Sequence, residues 1–293
     1  MIFKTILRAL NLFPLISLFV TYILGGGLVQ YVKQMRDWTV FIQGIVFLIL
    51  IAISLDLLAL LQSLRDRQNW PEEMDLRTVR ITRFVTAITA ATFLTVSTTI
   101  FIQWMMSGIV RQGLAFILIT MIGLGILYHF SRTQGSMQLF QILFEAGIFV
   151  VIPPALAYFL QSQDLHRLLT LTVTALLPAY LAYRMLLQLK SLGIDQKHEN
   201  LTIVTYMGWQ RAMTLHNALI LLTYLLMALI TFLGFPWFLL WPVFLTLPIG
   251  LLEIWLMERV RSGKKPLWRI MQAATASVFL IPIYLLGFAF WIR

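Results

Sequence analysis

Two polar stretches carry most of the residues able to do chemistry in this chain. Gln62 to Arg83 reads QSLRDRQNWPEEMDLRTVRITR, and Gln188 to Thr205 reads QLKSLGIDQKHENLTIVT. With Asp56 just upstream, they hold seven of the twelve acidic residues: Asp56, Asp66, Glu72, Glu73, Asp75, Asp195 and Glu199. Gln62 and Asp66 are four residues apart, and so are Ser191 and Asp195. Each pair therefore shares one face wherever a helix continues through it. Two such carboxylates facing one another, with arginines nearby, suit a magnesium–diphosphate group. They supply hard oxygen ligands for the ion, and the arginines supply cations for the remaining phosphate charge. The same spacing also suits solvated charges at helix ends, so spacing alone leaves both readings open.

The elements that must position these residues follow from composition. The 293-residue chain is 60% hydrophobic and only 12% charged, with a mean hydropathy of +0.86. Repeated apolar runs of about twenty residues place it among integral membrane proteins. Nine segments have spanning length, at roughly 10–32, 38–62, 80–106, 110–130, 138–161, 166–188, 212–234, 236–256 and 268–291. All are predicted to be helices, because a lipid-embedded backbone must satisfy its own hydrogen bonds. The fold class is thus all-α, a polytopic bundle of nine transmembrane helices forming one membrane domain over residues 1–293. A weak internal repeat relates about 10–130 to 138–256 and leaves the last helix, 268–291, over. The N-terminus has a basic start and an apolar core but no small-residue cleavage site, and it reads as the first membrane helix. The absence of cysteine removes disulfides, thiolate metal sites and cysteine nucleophiles.

Orientation follows from the basic residues. The N-terminus and the even-to-odd connections hold 17 of the 22 lysines and arginines, which predicts a cytoplasmic N-terminus and cytoplasmic charged loops. The expected location is the cell (cytoplasmic) membrane. That distribution also accounts for the net charge of +10 without a nucleic-acid partner. Trp38, Trp104, Trp237, Trp241 and Trp291 fall near the outer boundaries, and Trp209, Trp255 and Trp268 near the inner ones, as aromatic belts do. Pro153, Pro154, Pro178, Pro242, Pro248 and Pro282 lie inside the segments and predict kinks, sharpest at Pro153-Pro154.

Other polar residues are candidates by position. Asp56 and Glu145 lie inside the second and fifth segments, where a carboxylate marks a cavity or an ion pair. His216 and Asn217 sit one turn into the seventh segment and read as hydrogen-bonded helix-end residues, while Glu253 and His129 read as interfacial. Gly25-Gly26-Gly27 predicts close helix packing and not a phosphate loop.

The order of segments and the two charged loops resemble the UbiA superfamily of membrane prenyltransferases. That family has nine helices and two aspartate-rich motifs, N-x-x-x-D-x-x-x-D after the second helix and D-x-x-x-D after the sixth. Asn69-Trp70-Pro71-Glu72 and Val79-Arg80-Ile81-Thr82 stand where the family's N-R-P-E-R-P and S-G-R-I-S stretches fall. Asn200 to Gly208 stands in the place of its G-K-R-T-L-x-V-R-L-G stretch. Glu145, Gly147, Pro153-Pro154 and the basic connection RVRSGKKPLWR are also similar to the family. The motifs themselves depart from its pattern. The first reads Leu58, Gln62, Asp66 and the second Ser191, Asp195, so each keeps only its last aspartate.

The resemblance implies a magnesium-dependent transfer of a prenyl group from a polyprenyl diphosphate to an aromatic acceptor. It implies Asp66 and Asp195 as magnesium ligands and Gln62, Arg80, Glu145, Gln188 and Lys197 as residues of the substrate site. The missing aspartates favour a second reading, a non-catalytic relative that binds an isoprenoid lipid or a partner membrane protein. A third is a small transporter with Asp56, Glu145 and the proline-broken helices along its pathway.

Overall fold

The computed structural model describes residues 12–33, 35, 37–64, 75–133, 135–162 and 166–292. Among these residues helix is the only regular structure, and nine helical segments are long and apolar enough to cross a membrane. The first four are α1 (Leu12–Lys33), α2 (Trp38–Ser63), α3 (Leu76–Met106) and α4 (Gln112–Thr133). The fifth is compound: a 3₁₀ turn (Gly135–Phe140), α5 (Gln141–Ala146), a π-turn (Gly147–Val151) and α6 (Ile152–Ser162). Then come α7 (Arg167–Lys197), the short α8 (Ile203–Met207) and α9 (Trp209–Phe232). The eighth segment joins α10 (Trp237–Leu240), a 3₁₀ turn (Trp241–Thr246) and α11 (Leu247–Arg261), and the ninth is α12 (Trp268–Ile292).

Three helices extend past the sequence expectation by four residues or more, α3 at its start and α7 and α11 at their ends, because polar helix ends continue beyond the apolar span. α3 begins at Leu76, where Asp75 caps it by accepting the Thr78 backbone N–H at 2.9 Å. α7 runs on to Lys197. Arg80 consequently stands a turn inside α3, and Asp195 stands on a helix.

The break in the fifth segment follows from its prolines. Pro153 has no N–H to give the Phe149 carbonyl, and the chain switches to a wider turn in which Ile152 N–H reaches back to Gly147. The freed Phe149 oxygen lies 3.1 Å from the Thr21 hydroxyl of α1, which also reaches the Ser17 carbonyl of its own helix at 2.7 Å. A neighbouring helix thus takes up the carbonyl that the proline leaves.

α1 runs through the centre, packed on α6 and α12, and α7 packs on α9 and α12. The glycine run makes that close approach possible. A Cβ on Gly25 would stand 2.5 Å from the Pro154 oxygen, and one on Gly27 2.8 Å from the Trp291 ring. α3 lies on the opposite flank, against α2, and is the least buried of the nine segments.

Cross-links identify which connections share an end of the bundle. The Leu201 N–H donates to Gln138 at 2.9 Å, Lys190 to Gln272 at 3.2 Å, and Arg261 to the Gln210 carbonyl at 3.4 Å. The connections after the fourth, sixth and eighth segments therefore gather at one end, termed here the basic end. At the other end Gln161 closes on the Asp37 backbone, accepting its N–H at 3.0 Å and donating to its carbonyl at 2.8 Å.

Candidate functional site

A pocket of 780 Å³ lies between α2 and α4, floored by Leu18 of α1 and Ile148 of the π-turn. Its walls are apolar, among them Leu48, Leu55 and Leu58 from α2 and Met121 and Ile126 from α4. The polar side chains on its lining are Gln62 and His129, in the last turns of α2 and α4. Both stand at the basic end. Gly125 borders the same space, and a Cβ there would meet no atom within 4 Å. Volume and lining match a site for an elongated apolar ligand whose polar group stays at one end.

Beside this pocket lies a recess of 470 Å³ lined by Leu61, Val79, Arg80, Arg83 and Phe84 among others. Leu61 lines both spaces, so the arginine recess adjoins the polar mouth of the apolar pocket. Arg77 and Arg80 line a further recess with Leu76 and Ile81. Spacing three residues apart puts these guanidiniums over successive turns at the start of α3, where the helix dipole adds positive potential. α3 itself contains no acidic residue. Asp75, at its cap, is held below the ordinary carboxylate value by hydrogen bonds from Thr78, first from its side chain and then from its backbone.

Asp195 occupies a different place. Its carboxylate accepts the Ser191 hydroxyl at 2.6 Å and the Asn200 amide at 3.1 Å. The backbone closes the helix around it, with Asn200 N–H bonded to the Asp195 carbonyl at 2.9 Å and Glu199 N–H to Gln196 at 3.3 Å. This double bond is the Schellman ending of a helix, and it requires a left-handed residue at Glu199, whose φ is 55°. Around Asp195, Gln138, Gln141, Asn200 and Thr202 enclose a polar recess of 230 Å³ that shares no lining residue with the apolar pocket. These are oxygen donors of the hard kind magnesium prefers, but they include one carboxylate only. Among the described residues no group of three acidic or histidine side chains comes together. Asp66, the other expected ligand, lies outside the described residues.

The remaining expected residues divide between surface and core. Lys197, the last residue of α7, is exposed. Glu145 is buried and pairs with Arg184 of α7, Oε2 to Nη2 at 2.8 Å. Gln188, one turn further along α7, is half-buried, and its Oε1 finds no hydrogen-bond partner among the described residues. Asp56 is buried within α2.

Sequence reasoning missed His129 and Arg83 as lining residues. The helical period could have placed His129 on the face of Ile122 and Ile126, and Arg83 on that of Arg80. It also misplaced Glu253, expected at the interface. The structure buries it fully on α11, eight residues before the helix end and between α9 and α12. No model of a known protein family matches the chain, and no curated protein matches it.

Proposed function

We propose that the protein binds a polyprenyl diphosphate, as a divergent membrane prenyltransferase of the UbiA type. The apolar pocket between α2 and α4 would hold the chain. Gln62 and His129 would meet its polar end, with Arg80 and Arg83 neutralising the diphosphate. The observation that carries this reading is the sharing of Leu61 by an apolar pocket and an arginine-lined recess. An amphiphile with a long apolar tail and an anionic head matches both at once. In the cell the basic end would face the cytoplasm, where the resemblance places donor binding and transfer of the prenyl group to an aromatic acceptor, with diphosphate leaving.

One observation favours a second reading, a binding protein without transferase activity. The Asp195 carboxylate is already engaged by Ser191 and Asn200. Equilibrium binding of a prenyl diphosphate to the purified protein, with and without magnesium, tests both. Binding weakened on the order of tenfold by Arg80→Gln with Arg83→Gln supports the arginine rim, given the strength of charge-assisted contacts. Loss of that binding in Asp195→Ala only when magnesium is present supports the transferase. Binding indifferent to magnesium and to Asp195→Ala supports the second reading. Binding indifferent to the arginines removes both.

A further inference from the structure

A second group of buried polar atoms lies far from that pocket in the fold, among α9, α11 and α12. His216 and Glu253 are both fully buried, and their Nε2 and Oε1 atoms stand 3.8 Å apart. That is beyond hydrogen-bond length, and the His216 Nε2 and both Glu253 oxygens have no other hydrogen-bond partner among the described residues. Three orphaned polar atoms in an apolar bundle call for a ligand or a proton, because each would otherwise carry the full cost of its lost hydration.

The other side of His216 fixes which ligand. Its Nδ1 lies 3.3 Å from Asn217 Oδ1, and Asn217 Nδ2 donates to Glu258 Oε1 at 3.0 Å. Glu258 in turn pairs with Arg261 at 3.1 Å. A carboxylate held by an arginine accepts and does not donate, so Asn217 must present its NH₂ to Glu258 and its oxygen to His216. Nδ1 then carries the hydrogen. The free position of the ring, Nε2, faces Glu253. If Nε2 is a bare lone pair, Glu253 must be the acid. If Nε2 carries a hydrogen, the imidazolium faces a carboxylate. Both arrangements contain one proton between the two residues and no net charge.

We propose that Glu253 and His216 form a buried proton-binding site, which holds one proton between Nε2 and the carboxyl and whose tautomer is set from the basic end through Arg261, Glu258 and Asn217. Removing the proton would leave a lone negative charge in the bundle and adding another a lone positive one, and the apolar surroundings oppose both. Among the described residues neither group forms another ion pair, and α7, packed on α9 and α12, engages its Arg184 with Glu145 and its Lys190 with Gln272. α12 contributes Thr275, whose hydroxyl donates to the Met271 carbonyl at 2.9 Å and also faces the Glu253 carboxyl as a neutral neighbour, and its Arg269 is exposed. On α9, Tyr224 is engaged with the Thr246 carbonyl at 2.8 Å in the 3₁₀ turn before α11, and Arg211 is exposed. On α11, Arg259 lies over the Trp255 ring at 4.7 Å. The site shares no residue with the proposed lipid pocket, so either proposal can fail alone.

Nitrogen NMR of the full-length protein, labelled at histidine and held in detergent micelles, reads the tautomer and charge directly. His216 is assigned by replacing His129, His166 and His198 one at a time. The expected result is a His216 ring protonated at Nδ1 and unresponsive to pH between about 5 and 8, the window in which an ordinary imidazole changes charge. Glu253→Gln, which keeps a donor opposite Nε2, should leave a neutral ring with the same tautomer. Asn217→Leu should let the Nε2–H form appear. A wild-type His216 whose ring changes charge across that pH range, or a ring protonated at Nε2 alone, would overturn the proposal. So would an Asn217→Leu ring locked as in the wild type.

Discussion

The two flanks of the bundle treat buried polarity in opposite ways. Between α2 and α4 the helices stand apart, and their polar end residues, Gln62 and His129, border a cavity of 780 Å³. Around α7, α9, α11 and α12 the helices close on one another, and polar residues meet partners: Glu145 finds Arg184, Asn217 finds Glu258, and His216 faces Glu253. A polar side chain inside a membrane bundle either borders space or is neutralised by a neighbour. The first arrangement is useful for a ligand and the second for holding helices in register.

The largest effect should come from breaking a neutralised pair. Glu145→Ala leaves the Arg184 guanidinium without its carboxylate and should cost about 3–5 kcal/mol of stability, measured by denaturant unfolding in detergent. Arg184→Met in the same chain should restore most of it; no recovery would mean that Glu145 matters through packing. Glycines separate the flanks next. Gly25→Ala forces a Cβ against the Pro154 backbone and should cost about 1–3 kcal/mol. Gly125→Ala, pointing into open pocket space, should be neutral or mildly stabilising in the same denaturant unfolding.

The smallest effects concern the helix ends beside the two polar stretches. Glu199 holds a left-handed conformation that suits glycine, so Glu199→Gly should stabilise the protein by about 0.5–1 kcal/mol in the same denaturant unfolding. At the start of α3, the cap by Asp75 should respond to acid. Its folded value lies below the ordinary 3.8, so its contribution is complete above that value and is lost as pH falls through the lowered one. Hydrogen exchange of the Thr78 amide across that window should accelerate in the wild type and be fast throughout in Asp75→Ala.

Much of the fold was legible because lipid imposes a simple rule. Nine apolar runs of spanning length become nine helical segments among the described residues, and Gly25 to Gly27 mark the close packing of α1 as read. The π-turn was less legible. Pro153-Pro154 announced a break, yet the Thr21 hydroxyl that answers the freed carbonyl comes from a helix 128 residues away in sequence. Site residues were read least well where partners, not positions, decide their role. Nothing in the spacing of Glu145, Arg184, His216 or Glu253 names their neighbours, since each pair joins different helices. Arg80 was legible as a cation beside the mouth, whereas the pocket wall it adjoins depends on how far α2 stands from α4.

The most direct test of the proposed lipid site is to fill the apolar pocket without disturbing the bundle. In Gly125→Phe the new ring enters space that a Cβ at this position finds empty. Prenyl diphosphate binding should fall at least tenfold while the melting temperature stays within a few degrees of the wild type, the shift that about 1 kcal/mol produces. A folded Gly125→Phe protein that binds the lipid as tightly as the wild type would contradict the pocket between α2 and α4.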